Sequence, residues 1–96
     1  MAWYVYMILC EDRSIYTGTS TDVEARYTKH VEGKGARYTR SHRPIKLLRT
    51  WECTNRSEAL KLETYFKSLT HARKLYAAAS GLRYEIPRDV LLIEPK

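Results

Sequence analysis

The chain reads as a single α+β domain. It should hold a small three-stranded, mainly antiparallel sheet flanked by helices, in the order β-β-α-β-α-α. Three observations predict this. The run Trp3 to Leu9, rich in aromatic and β-branched residues, is followed after a polar interruption by a second such run, Ile15 to Thr19. A third, Ile45 to Cys53, stands apart from them. The segments between and after carry apolar residues at helical spacing. Such grouping, without regular strand–helix alternation, favours a layered α+β fold over a parallel sheet.

Trp3 to Leu9 is the central strand, because nearly every position is apolar or aromatic. Glu11-Asp12-Arg13-Ser14 is a polar turn, and Ile15 to Thr19 returns beside the first strand as a hairpin. Tyr6 and Tyr16 then share a neighbourhood, since same-parity residues of a strand face one way. The register across the turn is open at this stage. Thr21 with Glu24 forms a capping box at the start of the first helix, and Asp22 adds charge that suits a helix N-terminus. Val23, Arg26, Tyr27 and His30 fall on one face of that helix, at i, i+3, i+4 and i+7. An arginine and a histidine on a stripe that looks at the sheet call for a reason.

Gly33 and Gly35 end this helix. Lys34 to Pro44 is a basic loop or short helical turn, and Ile45 to Cys53 is the third strand. Asn55 or Ser57 caps a helix to about Leu69, with Ala59, Leu62, Phe66 and Leu69 buried. Thr70 caps a last helix, His71 to Ser80, stopped by Gly81. Residues 1–80 thus form the domain and 81–96 an extension. The extension contains a β-like run, Asp89 to Ile93, between Pro87 and Pro95, suited to an edge strand or an interaction arm.

A chain of 96 residues supports one modest core. Its 44% hydrophobic and 29% charged content fits a globular fold, and four Gly and three Pro argue against disorder. The two cysteines, Cys10 and Cys53, are too few for a disulfide scaffold. They read as reduced core thiols of a cytoplasmic or nuclear protein, with a disulfide between strand ends as the alternative. Neither belongs to a zinc-type pair. The apolar run Ala2 to Cys10 has neither the basic flank nor the cleavage site of a signal peptide, and it is too short to span a bilayer.

The net charge of +6 favours a polyanion partner. Its distribution says more. Eight basic residues lie between Arg26 and Arg49 against one acid, Glu32, whereas Cys10 to Ala25 holds four acids and only Arg13. Phosphate-binding surfaces show this kind of asymmetry. Lys34, Arg37 and Arg40, interleaved with Tyr38, could follow a nucleic-acid backbone while Tyr38 stacks on an exposed base. The bland alternative is a solvated loop.

Tyr4-Val5-Tyr6 in the first strand and Tyr16-Thr17-Gly18 in the second, followed by Arg26, His30 and Glu63, resemble the motifs of the GIY-YIG nuclease superfamily, in its small stand-alone members. Tyr4-Val5-Tyr6 stands for GIY and Tyr16-Thr17-Gly18 for YIG. The stretch from Tyr16 to His30, the segment Gly33-Lys34-Gly35-Ala36-Arg37 and the helix Glu58-Ala59-Leu60-Lys61-Leu62-Glu63 match in order and context, over roughly residues 3 to 80. The chain departs from the pattern at Tyr4 and Thr17. It also has no asparagine after Glu63, its only one being Asn55.

The resemblance implies a metal-dependent endonuclease that hydrolyses phosphodiester bonds in DNA, in preference to RNA, with a repair or recombination role. Tyr6, Tyr16, Arg26, His30 and Glu63 would be its catalytic residues. Glu63 would hold one Mg²⁺ or Mn²⁺, since a single carboxylate suits a hard cation that keeps its waters. Alone, Glu63 reads as a surface partner of Lys67. Arg26 would grip the scissile phosphate. Tyr16, or else Tyr6, would deprotonate the attacking water. A free phenol ionises near ~10, so that role needs help from neighbouring charge. His30 would bond a tyrosine hydroxyl or handle protons, or merely place charge at a helix end. Gly18 lets the backbone approach the site. The alternative is a non-catalytic nucleic-acid-binding module, or a docking subunit of a repair assembly that meets a protein partner through residues 81–96.

Overall fold

A computed structural model describes residues 1–90 of the chain. The strands are β1 (Trp3–Cys10), β2 (Ile15–Ser20) and β3 (Pro44–Cys53), and the helices α1 (Val23–Val31), α2 (Arg37–Ser41), α3 (Arg56–Lys67) and α4 (His71–Ser80). The element order matches the expected one with a single addition: the basic segment after Gly35 winds into the five-residue helix α2.

β1 is central, in the order β2–β1–β3, and both pairings are antiparallel. This explains its unbroken apolar run, because a middle strand covered on both faces has no solvent side. Val5 and Met7 face one core with Trp51, Ala59, Leu62, Phe66 and Leu69. Tyr6, Ile8 and Cys10 face a second, with Tyr16, Val23, Tyr27, Tyr38 and Leu47 packed against them. Helices α3 and α4 therefore cover one face and α1 and α2 the other. The two cysteines are free, buried, and divided between these cores, which removes the disulfide alternative.

The β1–β2 turn closes with the Arg13 amide donating to the Cys10 carbonyl at 2.9 Å. Arg13 has φ 70°, a left-handed conformation supported by Asp12, whose carboxylate accepts from the Ser14 amide. The register pairs Tyr6 with Gly18 and Ile8 with Tyr16. Tyr16 is thus the diagonal neighbour of Tyr6 on the same face.

The start of α1 corrects one expectation. Asp22, not Thr21, is the cap: its carboxylate accepts from the Ala25 amide at 3.1 Å, and the Ser20 hydroxyl accepts from the Asp22 amide. Aspartate, serine and threonine all cap well, so sequence spacing alone ranks them poorly. Asn55 caps α3 by accepting from the Glu58 amide at 2.9 Å, and Thr70 caps α4. Gly81, at φ 79°, ends α4.

Arg49, counted above among the phosphate-binding candidates, has a structural task. Its Nε donates to the Ala78 carbonyl, and the Trp51 indole donates to the Gly81 carbonyl, so β3 satisfies the open end of α4. The residues after α4 fold back over α3. Ile86 enters the core, its amide donates to the Tyr65 hydroxyl, and Arg73 donates to the Ile86 and Pro87 carbonyls. Of the anticipated β-like run, Asp89 lies in a turn and Val90 in no regular element, and residues 91–93 fall outside the described residues.

One buried group is left over. The Thr17 hydroxyl, in the middle of β2, has no hydrogen-bond partner among the described residues. An unpaired buried hydroxyl is destabilising, and valine has the same shape without it. Thr17→Val should therefore raise the unfolding free energy by about 1 kcal/mol. Urea titration checks this; an unchanged or lowered midpoint contradicts it.

Candidate active site

The Tyr6 hydroxyl is where the elements meet. Tyr6 projects from the middle of β1 towards α1 and is 1% exposed. It lies 2.9 Å from Nε2 of His30, which is fully buried on the last turn of α1. The other ring nitrogen of His30, Nδ1, lies 2.6 Å from the Thr39 hydroxyl oxygen, and that hydroxyl donates to the Ala36 carbonyl at 3.0 Å. Since the Thr39 proton is committed to Ala36, its oxygen accepts from Nδ1–H. Nε2 is then bare and accepts the Tyr6 proton. Direction runs unbroken from β1 through α1 to α2.

Two glycines make this packing possible. A Cβ on Gly18 would stand 2.5 Å from the Tyr6 hydroxyl oxygen and 3.0 Å from Cε2 of Tyr16. A Cβ on Gly35 would collide with the His30 ring at Nδ1. Gly18 thus lets β2 pass directly under the tyrosine ring, and Gly35 lets the segment after α1 lie flush against the imidazole.

Arg26, one turn before His30, lies close enough to the Tyr6 hydroxyl for its guanidinium to favour the ionised phenol, while Tyr16 and Glu63 lie within electrostatic reach of the same oxygen. The ring centroid of Tyr16 is 5.1 Å from that of His30 and 6.2 Å from that of Tyr6. Tyr6, Tyr16, Arg26 and His30 therefore share one neighbourhood, with Glu63 within electrostatic reach of it. Glu63 comes from α3, on the opposite face, but α3 lies against both β1 and the edge strand β2. Its side chain is 17% exposed and pairs with Lys67 at 3.3 Å, the i,i+4 contact anticipated from spacing.

Burial and the nearby Tyr16 push the Tyr6 phenol up to about 12, against the opposing pull of the Arg26 guanidinium; Glu63 pushes the same way as burial. Burial first, and then the Arg26 charge, hold His30 below the ordinary imidazole value. Both groups are thus neutral in the folded protein near pH 7, as their hydrogen bond requires.

The basic segment is only partly as expected. Lys34, Arg37 and Arg40 are exposed, and among the described residues no ion pair involves them. Tyr38, in contrast, is half-buried. One ring face is stacked on His42, with centroids 4.0 Å apart and planes 8° apart, and Tyr16 is 5.8 Å away. His42 also donates to the Tyr38 carbonyl and faces Asp12 at 3.5 Å. Tyr38 buttresses Tyr16 and does not present a free face on its His42 side. Sequence reasoning missed Thr39 and His42. Thr39 is nine residues from His30 across a glycine-containing connection, and no periodicity links them.

The GIY-YIG catalytic domain model matches residues 2–77. A UPF0213 protein of Cupriavidus necator is 48% identical over 73 residues, 76% of this chain and 79% of the relative. A UPF0213 protein of Fusobacterium nucleatum is 46% identical over 74 residues, 77% of this chain and 74% of the relative. Among solved structures, the solution NMR structure of a UPF0213 protein from Bacillus halodurans is 42% identical with a TM-score of 0.51, covering 86% of this chain and 87% of that one. That of an E. faecalis protein is 38% identical with a TM-score of 0.58, covering 88% and 92%.

Two predictions follow from the neutral pair and its packing. Unfolded histidine protonates near ~6.5 whereas folded His30 resists, so the unfolded state binds more protons and stability falls as pH drops through ~6.5 towards the folded value. Unfolded tyrosine ionises near ~10 and folded Tyr6 near about 12, so stability also falls as pH rises from ~10 to about 12. Denaturant titrations across pH should show both limbs, and Tyr6→Phe should flatten the alkaline one. Separately, Gly18→Ala should destabilise the fold by ~1–3 kcal/mol through overpacking. It should also lengthen the Tyr6–His30 contact, visible in the His30 imidazole NMR shifts; wild-type shifts would refute the packing account.

Proposed function

This chain belongs to the GIY-YIG family of nuclease domains, and on that premise we propose that it is a metal-dependent endonuclease cleaving phosphodiester bonds in DNA. The observation that carries the reading is the gathering of Arg26, Tyr16, His30 and Glu63 around the Tyr6 hydroxyl. Four elements from both faces of the sheet contribute to it. A domain of this size has no evident structural need to bring an arginine, a carboxylate and two phenols together beside its core.

The residues fit a hard divalent cation such as Mg²⁺ or Mn²⁺. Glu63 offers oxygen donors in a partly buried position, and among the described residues no three His, Cys, Asp or Glu side chains form a cluster. A cation there would take one protein carboxylate and complete its shell with waters and a phosphate oxygen, as Mg²⁺ commonly does. When bound it would supply charge to stabilise phosphoryl oxygens and ease ionisation of water.

The chain's own groups divide the remaining work. Arg26 is exposed at the rim, with its guanidinium beside the Tyr6 hydroxyl, and its N–H fork suits a phosphate. Tyr16, half-buried and more accessible than Tyr6, would act as its phenolate, taking the proton of the attacking water and ending as the neutral phenol. Tyr6 stays protonated, because its own proton is donated to His30. It holds Arg26 in place and is not itself the base. The new bond forms between the water oxygen and phosphorus as the ester oxygen departs on the opposite side. Lys34, Arg37 and Arg40 supply salt-sensitive attraction for the flanking backbone. A DNA repair or recombination setting in the cytoplasm suits such an activity.

The test is cleavage of labelled single-stranded, branched and duplex DNA with Mg²⁺ or Mn²⁺. Glu63→Ala, Arg26→Ala and Tyr16→Phe should each reduce the rate by roughly 10²–10³-fold. Tyr6→Phe should cost less, because it misplaces Arg26 without removing it. Full activity in Glu63→Ala or Arg26→Ala would sink the mechanism. Salt-sensitive binding with no metal-dependent product would leave a binding module in its place.

A further inference from the structure

The His30 ring has two possible neutral tautomers, and only one is compatible with its neighbours. Thr39 sits on α2 with its hydroxyl proton given to the Ala36 carbonyl, one turn back. Its oxygen can then only accept, so His30 must carry its proton on Nδ1. That leaves Nε2 as an acceptor, and the Tyr6 O–H must point at it. With its proton aimed into the core, Tyr6 leaves its oxygen lone pairs to the side where the Arg26 guanidinium acts on it.

We propose that Thr39 is a positioning residue: by fixing the His30 tautomer it sets the polarity of the Tyr6 hydroxyl and so holds the Arg26 guanidinium for phosphate. This rests on the reading of Arg26 given above. In the opposite tautomer, Nε2–H would donate to the Tyr6 oxygen. The Tyr6 proton would then swing out towards Arg26, a cation with no acceptor to offer. Arg26 would lose its anchor although no residue touching substrate had changed. All three members of the relay are buried, so water cannot substitute for the lost direction. Gly35 holds the Thr39-bearing segment against the ring. The depressed proton affinity of His30 fits the same picture, because a neutral imidazole is needed for Nε2 to accept.

The experiment compares the full chain with Thr39→Val, which keeps the shape without the hydroxyl, and Thr39→Ser, which keeps the hydroxyl. Long-range ¹H–¹⁵N spectra of His30 should show protonated Nδ1 and bare Nε2 in the wild type and in Thr39→Ser. Thr39→Val should shift the ring towards the Nε2–H form and broaden the Arg26 guanidinium resonances. In cleavage assays Thr39→Val should lower kcat by at least tenfold while Thr39→Ser stays near wild type. If Thr39→Val does not fold, Thr39→Ala, which adds no bulk, carries the same expectations. Protonated Nε2 in the wild type overturns the proposal. So does an unchanged tautomer in the Thr39→Val protein, or a changed tautomer with unchanged cleavage. If the wild type cuts no DNA, the nuclease reading fails by itself, and the spectra of His30 and Arg26 still decide whether Thr39 sets the relay.

Discussion

The hydrogen bond between Tyr6 and His30 is the interaction on which the rest of the arrangement depends. It joins the central strand to the first helix inside a core that excludes water, where an unpaired partner would be costly. Its geometry dictates the neighbours. Position 18 must lack a side chain for the tyrosine ring to lie where it does, and position 35 must lack one for the imidazole. Thr39 reaches the far side of that imidazole from the short helix into which the basic segment winds. The motif residues are thus bound to one another by packing before any chemistry is considered.

The same bond separates structural duty from exposed chemistry. Tyr6 and His30 are buried and neutral, while Arg26 reaches the rim and Tyr16 and Glu63 are only partly covered. A preorganised site works this way: groups that direct others are locked in the interior, and groups that meet a ligand sit at its edge. The basic residues divide similarly. Arg49 closes α4 and Arg73 secures the segment around Ile86, whereas Lys34, Arg37 and Arg40 remain outside on the side of the sheet that carries α1 and α2. Net charge overstated the number of cations available to a polyanion.

Much of the fold was legible because it depends on local signals. The apolar run of β1 announced a strand covered on both faces, and the caps at Asn55 and Thr70 and the stop at Gly81 were read at their positions. The cap of α1 was misplaced by one residue, since Thr21 and Asp22 are both competent and only backbone geometry decides between them. The burial of His30 was legible as a polar residue on a stripe expected to face the sheet, whereas Arg26, on the same stripe, lies exposed at its edge. The relay through Thr39 was not legible, because it depends on a chain reversal at Gly33 and Gly35 that no periodicity encodes. The stacking of His42 on one face of Tyr38 was illegible for the same reason: a tyrosine among cations suggests base stacking, and only the fold shows which side of the ring is already covered.

The central claim is that Tyr6 and Arg26 act as one unit, the phenol holding the guanidinium where a phosphate needs it. A double-mutant cycle in single-turnover DNA cleavage tests it most directly, using Tyr6→Phe, Arg26→Ala and the combined variant. If the two residues form one unit, the combined variant loses no more rate than Arg26→Ala alone, because Tyr6 has nothing left to position. If instead the two losses multiply, the residues act independently, and the account built on the Tyr6 hydroxyl is wrong.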